Sequence, residues 1–208
     1  MNRTRISRLL TLTALAVLGV VLSSSIIWAQ ATPPAVIWPP TTPLADTFKV
    51  TYFSNANTAG VPDGTVYLTN PGTSGGSICA MIYVLDPNQE LLQCCGCSLT
   101  PDSLSTISVN NNLTRSPLVP EVLTFGTIKI ISSSGAPTCN PSKPVPTPAV
   151  RGWGTHIQIP TGFGPYVTET DFQDATLSST EVSHLASLCK SILDNASGYG
   201  ICTCGTGG

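Results

Sequence analysis

Eight cysteines constrain this chain more than any other feature, because four stand in two C-x-C clusters, Cys95-Gly96-Cys97 and Cys202-Thr203-Cys204. Cys94 extends the first cluster, and Cys79, Cys139 and Cys189 complete the set. In an exported chain an even number of cysteines reads as a disulfide framework, whereas in a reducing compartment the same residues would be ligands or catalysts. The compartment therefore has to be settled first.

The N-terminus points to export. Arg3, Arg5 and Arg8 precede an apolar run from Leu9 to Leu22, and the segment closes on Ala29-Gln30-Ala31, with small residues where a signal peptidase reads. We expect residues 1–31 to be a secretory signal. The alternative is a retained membrane anchor over Leu9 to Trp28, but Ser23, Ser24 and Ser25 interrupt that run. No cysteine lies near the cut to carry a lipid, and no adjacent arginines mark a twin-arginine route. Cleavage leaves 177 of the 208 residues and takes three of the nine basic residues, so six remain against eleven acidic. A chain so poor in cations has no surface to hold phosphates, which excludes nucleic acid as an expected partner. A membrane is expected as a partner only through the signal segment if it stays uncleaved. The expected destination is the medium, or the periplasm and cell envelope.

All eight cysteines survive that cut, and they admit roughly a hundred pairings. A bridge between the neighbours Cys94 and Cys95 would distort the peptide joining them, and one inside either C-x-C cluster would close a very small ring. Pairing between clusters is the expectation, with the connectivity left open.

Charged residues make up only 10% of the chain and hydrophobic residues 41%, so a packed core is feasible and a disordered polyelectrolyte is not. Residues 32–45 carry Pro33, Pro34, Pro39, Pro40 and Pro43, which lack the amide donors of a helix or central strand, and read as an extended leader. Short β-branched and aromatic runs follow: Phe48 to Phe53, Thr65 to Thr69, Ile78 to Leu85, Leu104 to Val109 and Gly126 to Ile131. Pro62-Asp63-Gly64, Asn70-Pro71-Gly72, Asp86-Pro87-Asn88 and Asn110-Asn111-Asn112 separate them as turns. A second proline-rich stretch, Pro137 to Pro148, contains Cys139 and reads as a loop tied to the core rather than a free hinge.

Beyond that loop, Trp153, Thr155, Ile157 and Ile159 alternate with Gly154, His156 and Gln158, predicting a strand with Trp153 inward and His156 on the polar face. Tyr166 to Thr168 predicts one more strand. Ser178-Ser179-Thr180-Glu181 has capping-box spacing, and Val182, Leu185, Leu188, Cys189 and Ile192 then recur at helical intervals, predicting a helix over 179–194 with Cys189 facing inward. The whole is a mainly β, antiparallel sandwich-like domain over residues 46–208, with one C-terminal α-helix, stabilised by disulfides.

Several residue sets have chemistry to offer. Gly72-Thr73-Ser74-Gly75-Gly76 matches the nucleophile elbow G-x-S-x-G, but an elbow needs a strand before it and a helix after it, and here strands flank both sides. A hairpin loop fits better. His156 and His184 are the only histidines, and no spacing joins either to a serine or cysteine nucleophile. Cys95, Cys97, Cys202 and Cys204 would offer four thiolates to zinc or Cu(I) if the clusters met, although zinc sites favour C-x-x-C and an oxidising compartment competes for the thiols. Thiol exchange lacks the C-x-x-C of a thioredoxin-like βαβ unit. Glu169, Asp171 and Asp174 precede the helix as solvated acids without the spacing of a calcium loop. Trp153 and Tyr166 carry rings able to stack on a sugar, although alternation assigns the tryptophan to the core.

Three blocks resemble a group of uncharacterised exported cysteine-rich bacterial proteins: Tyr83-Val84-Leu85-Asp86-Pro87-Asn88-Gln89-Glu90, Cys94-Cys95-Gly96-Cys97, and Cys202-Thr203-Cys204-Gly205. The resemblance runs from about Phe48 to the C-terminus and carries no activity. It implies that the cysteines and the DPNQE turn belong to one framework. With no nucleophile, base and oxyanion donor assembled at recognisable spacing, we expect a non-enzymatic structural or binding role at the cell surface or envelope, without a cofactor. A cell-surface protein or glycan is the expected partner. A metal or thiol-redox protein using the C-x-C pairs, and a secreted hydrolase using Ser74 with His156 or His184, are the alternatives.

Overall fold

The computed structural model describes residues 45–207. The expected signal segment and all of the leader except Ala45 lie outside the described residues. The strands are β1 (Phe48–Phe53), β2 (Thr65–Thr69), β3 (Ile78–Leu85), β4 (Leu91–Leu99), β5 (Leu104–Ser108), β6 (Gly126–Ser133), β7 (Arg151–Gln158), β8 (Tyr166–Asp171) and β9 (Gln173–Asp174), followed by helix α1 (Ser179–Asn195). They form two antiparallel sheets, ordered β4-β3-β6-β1-β9 and β5-β2-β7-β8. The mainly β, sandwich-like expectation holds.

Three layers follow from two apolar clusters. Between the sheets lie Phe53, Leu68, Ile82, Leu99, Ile107, Ile130 and Phe172 with their neighbours. Between the five-stranded sheet and α1 lie Phe48, Met81, Tyr83, Ile131, Leu185, Cys189 and Ile192. Covered on both faces, β3 is buried at all eight positions, which is why ICAMIYVL reads as a continuous apolar run instead of an alternation. Each large side chain buried there contributes about 1.5–3 kcal/mol.

The helix starts where predicted. Ser178 Oγ accepts the Glu181 amide at 3.0 Å, which satisfies one of the otherwise unpaired donors of the first turn. The Glu181 carboxylate does not complete the capping box; it reaches across to Lys129 Nζ at 2.6 Å.

Four bridges tie the layers together: Cys79–Cys139, Cys94–Cys189, Cys95–Cys202 and Cys97–Cys204. All join separate clusters, as strand geometry demands. Cys139 pins the proline-rich loop to β3, and Tyr83 Oη donates to the Pro141 carbonyl at 2.7 Å beside it. Four disulfides belong to an oxidising, extracellular-type environment.

Three elements differ from the expectations, the shortest being the two-residue β9. Leu91–Leu99, unassigned from the sequence, is a strand, which places the Cys94, Cys95 and Cys97 cluster in the sheet. The asparagines 110–112 form a π-helical turn over Val109–Leu113, closed by the Thr114 amide and hydroxyl on the Val109 carbonyl, so β5 stops at Ser108. Among the described residues no helix is long and apolar enough to cross a membrane.

Candidate binding face on the four-stranded sheet

The site follows from a reversal of phase in β7. In that strand Gly152, Gly154 and His156 are buried, while Trp153 and Thr155 are only half-buried on the opposite face. The expectation of an inward Trp153 and a solvent-facing His156 is therefore corrected. The cause lies downstream in the chain. β8 and β9 are consecutive segments separated by Phe172, which crosses from one sheet to the other, donates its amide to the Gly152 carbonyl at 2.9 Å and pushes its ring into the core. A Cβ on Gly154 would stand 2.9 Å from that ring, so the glycines clear the space the ring occupies.

With the phase reversed, Trp153 stands on the open face of the sheet. It pairs across the ladder with Tyr67 of β2, and the two rings lie 5.4 Å apart at an interplanar angle of 18°. Tyr67 in turn pairs with Thr106 of β5, and Trp153 with Asp171 of β8. At the far edge Thr206 of the C-terminal tail exchanges two main-chain hydrogen bonds with Thr106, at 2.9 and 3.1 Å. One row, Thr206, Thr106, Tyr67, Trp153, Asp171, thus crosses the sheet over about 19 Å. Cross-strand neighbours share a face, so an aromatic ridge stands in the middle with hydroxyls to one side and a carboxylate to the other.

Hydroxyls and amides dominate the flank. Thr65, Thr106, Ser108, Asn112 and Thr206 line an open depression of about 340 Å³, with no charged side chain among them. Asn112 is held there by its carbonyl oxygen on the Ser108 amide, at 2.9 Å, and its Nδ2 on Thr203 Oγ1, at 2.7 Å. Arg151 is the one cation on the four strands of this sheet, and its Nε is 3.3 Å from Asp46 Oδ2.

The remaining candidates are dispersed. Ser74 lies in the exposed loop between β2 and β3 and donates its hydroxyl to the Gly76 carbonyl at 3.0 Å. His184 is exposed on α1. His156 stacks on Tyr52 with ring centroids 4.1 Å apart, and its Nε2 shares a 2.7 Å hydrogen bond with Thr170 Oγ1. Its Nδ1 has no hydrogen-bond partner among the described residues. Burial holds the imidazole below its ordinary value, against a smaller opposing pull from the Tyr52 main chain.

The two C-x-C clusters do meet, but as the bridges Cys95–Cys202 and Cys97–Cys204, which consume the four thiolates a metal centre would require. The acids do not form the solvated cluster expected ahead of the helix. Glu169 and Asp171 point outward from β8, while Asp174 of β9 binds Lys49 Nζ at 2.8 Å. Tyr166 is half-exposed, but on the opposite face of its sheet from Trp153, so the two rings do not share a site. Sequence reasoning missed Tyr67 and the hydroxyl row. The TVYLT pattern of β2 was the available signal, since it alternates hydroxyls and tyrosine with Val66 and Leu68.

Comparison with family models, with curated proteins and with solved structures finds no match to this chain.

Proposed function

We propose that the chain is an exported, non-enzymatic binding protein of the cell surface or envelope, and that it holds a neutral glycan on the open face of the four-stranded sheet. The observation that carries this reading is the Tyr67–Trp153 ridge standing on a sheet face bordered by uncharged hydroxyls and amides. Sugar rings have apolar C–H faces that pack on aromatic side chains, and their hydroxyls exchange hydrogen bonds with Thr, Ser and Asn. A nearly cation-free face favours neutral chains over sulfated or uronic ones. The length of the row suits an extended ligand laid across the strands. The sandwich beneath supplies a stiff support, and the four bridges keep it stiff outside the cell. The signal-like residues 1–31 supply the route of export.

Neutral polysaccharides run in affinity gels with the secreted protein test this directly. We expect retardation by at least one of them, lost in Trp153→Ala and in Tyr67→Ala, and unchanged in Ser74→Ala. Glycan arrays silent for the wild-type protein, or retardation that survives both aromatic substitutions, would remove the reading. A hydrolase would release reducing ends in the same incubation and lose that activity in Ser74→Ala. Thiol titration of the unfolded, unreduced protein separates the metal and redox alternative, which requires free thiols where we expect none.

A further inference from the structure

The four edges of the two sheets are treated differently. The β4 edge is closed by main-chain bonds from Cys94 to Gly200 at 2.9 Å and from Cys202 to Cys94 at 3.3 Å, and Leu118 bonds the Leu92 carbonyl at 3.0 Å. The β5 edge is closed by Thr206. The β9 edge is two residues long. Only β8 presents a six-residue edge, and among the described residues its ladder bonds run to β7 alone.

The register shows which groups are free. Because the Phe172 amide bonds the Gly152 carbonyl, Thr170, Thr168 and Tyr166 direct their main-chain groups at β7. The amides and carbonyls of Val167, Glu169 and Asp171 therefore point away from the sheet; among the described residues only the Asp171 carbonyl has a partner there, Gln173 Nε2 at 3.5 Å. Natural edges of this length are blunted with charged side chains, lysine above all, with proline or with a bulge; YVTETD has no proline, lysine or bulge, and its only charges are the acids Glu169 and Asp171.

We propose that β8 is a strand-addition site, and that its occupant is an extended peptide segment with basic residues at alternate positions. The charge of the edge carries the choice of occupant. Glu169 and Asp171 stand on one face of the strand, and neither forms an ion pair among the described residues. Val167 precedes them on the same face and is half-exposed. An added antiparallel strand sets its own side chains opposite these three, so lysine or arginine opposite Asp171 and Glu169 and an aliphatic residue opposite Val167 complete the face. A second copy of this chain fits poorly, because two β8 strands side by side bring four carboxylates onto one face. This site is separate from the glycan reading, since it uses main-chain groups of the edge and not the aromatic ridge.

The probe is a capped heptapeptide, Thr-Lys-Thr-Lys-Thr-Val-Thr, titrated into the isotopically labelled protein with all disulfides formed. We expect slowed amide exchange at Val167, Glu169 and Asp171 and little change at Thr168 and Thr170. Replacing both lysines of the probe by glutamate weakens binding about tenfold or more, and methylating its alternate amides abolishes it. Glu169→Pro removes one outward amide without touching the β7 ladder and abolishes binding; the double variant Glu169→Lys with Asp171→Lys weakens it if the proline variant does not fold. Trp153→Ala binds the peptide as wild type does. No spectral change at millimolar peptide, equal binding of the methylated probe, or concentration-dependent dimerisation through the same three amides would each overturn the proposal.

Discussion

Cys94 and Cys95 are neighbours in one strand, yet their disulfides leave opposite faces of the five-stranded sheet. Cys94 reaches Cys189 of α1 on the outer side, and Cys95 reaches Cys202 on the side of the sandwich core. The alternation of a strand makes this obligatory, and it turns one dipeptide into the point where helix, sheet and C-terminal tail are locked together.

Removing the first of these bridges therefore acts on the helix. Cys94→Ala with Cys189→Ala is expected to cost about 2–4 kcal/mol, because a loop of 95 residues is freed in the unfolded chain. Hydrogen exchange should rise first in the α1 amides while those of β2 and β7 hold. Uniform loss of protection would show that the helix and sandwich unfold as one unit.

The contact between Gly154 and Phe172 predicts a coupled pair. Gly154→Ala places a Cβ 2.9 Å from the ring and is expected to destabilise by about 1–3 kcal/mol. In a Phe172→Leu background the added methyl meets a smaller side chain, so the two costs do not add. Denaturant titration of the four proteins in the cycle measures the coupling, and strict additivity would contradict the packing described.

His156 makes stability depend on pH on the acid side. Its folded pKa lies below the ordinary 6.5, so the unfolded state binds the proton more readily. The contribution is intact above pH 6.5 and is lost as pH falls below 6.5 toward the folded value. Thermal melts should show this decline, and His156→Phe should lack it. An unchanged slope in that variant would assign the dependence elsewhere.

Lys49 and Asp46 bound the opposite ends of the range. Burial disfavours the Lys49 ammonium, but Asp174 and Asp46 at 2.8 Å outweigh it and raise its pKa above 10.5. That stabilisation is present below 10.5 and fades as pH climbs through the raised value. Asp46 shows the converse: burial raises its pKa, yet Lys49 and Arg151 bring it below 3.8, so its contribution is present above 3.8 and fades as pH falls through the depressed value. Lys49→Met should remove the alkaline decline in a melt series.

The C-terminal tail is held by close approach. A Cβ on Gly205, at φ +67°, would fall 2.1 Å from the Thr106 carbonyl. Gly205→Ala should therefore free the Thr106 amide to exchange and reduce glycan retention, while the Cys95–Cys202 bridge stays closed. Unaltered protection at Thr106 would show that the tail adapts.

Seven strands and the helix were legible because their signals are local: β-branched runs between turn residues, alternation over residues 153–159, and apolar spacing behind a serine cap. β4 has a local signal too, since LLQCCGCSL is an apolar run between the Asp86-Pro87-Asn88 and Thr100-Pro101-Asp102 turns, but burial on both faces removes the alternation that marks a strand. The binding face was not legible. Trp153, Thr155 and Ile159 have the right period for a buried face and the wrong phase, and of that series only Ile157 is buried.

The amino-acid sequence by itself determined the class of the protein: short strands, one capped helix, and cysteines too close along the chain to pair with their neighbours. Only the tertiary structure decided which cysteine meets which and which face of β7 looks outward. Period is a property of one segment, but phase depends on what packs against it. Here that is the ring of Phe172, delivered from the junction of β8 and β9 into the room that Gly152 and Gly154 leave, which turns Trp153 out beside Tyr67.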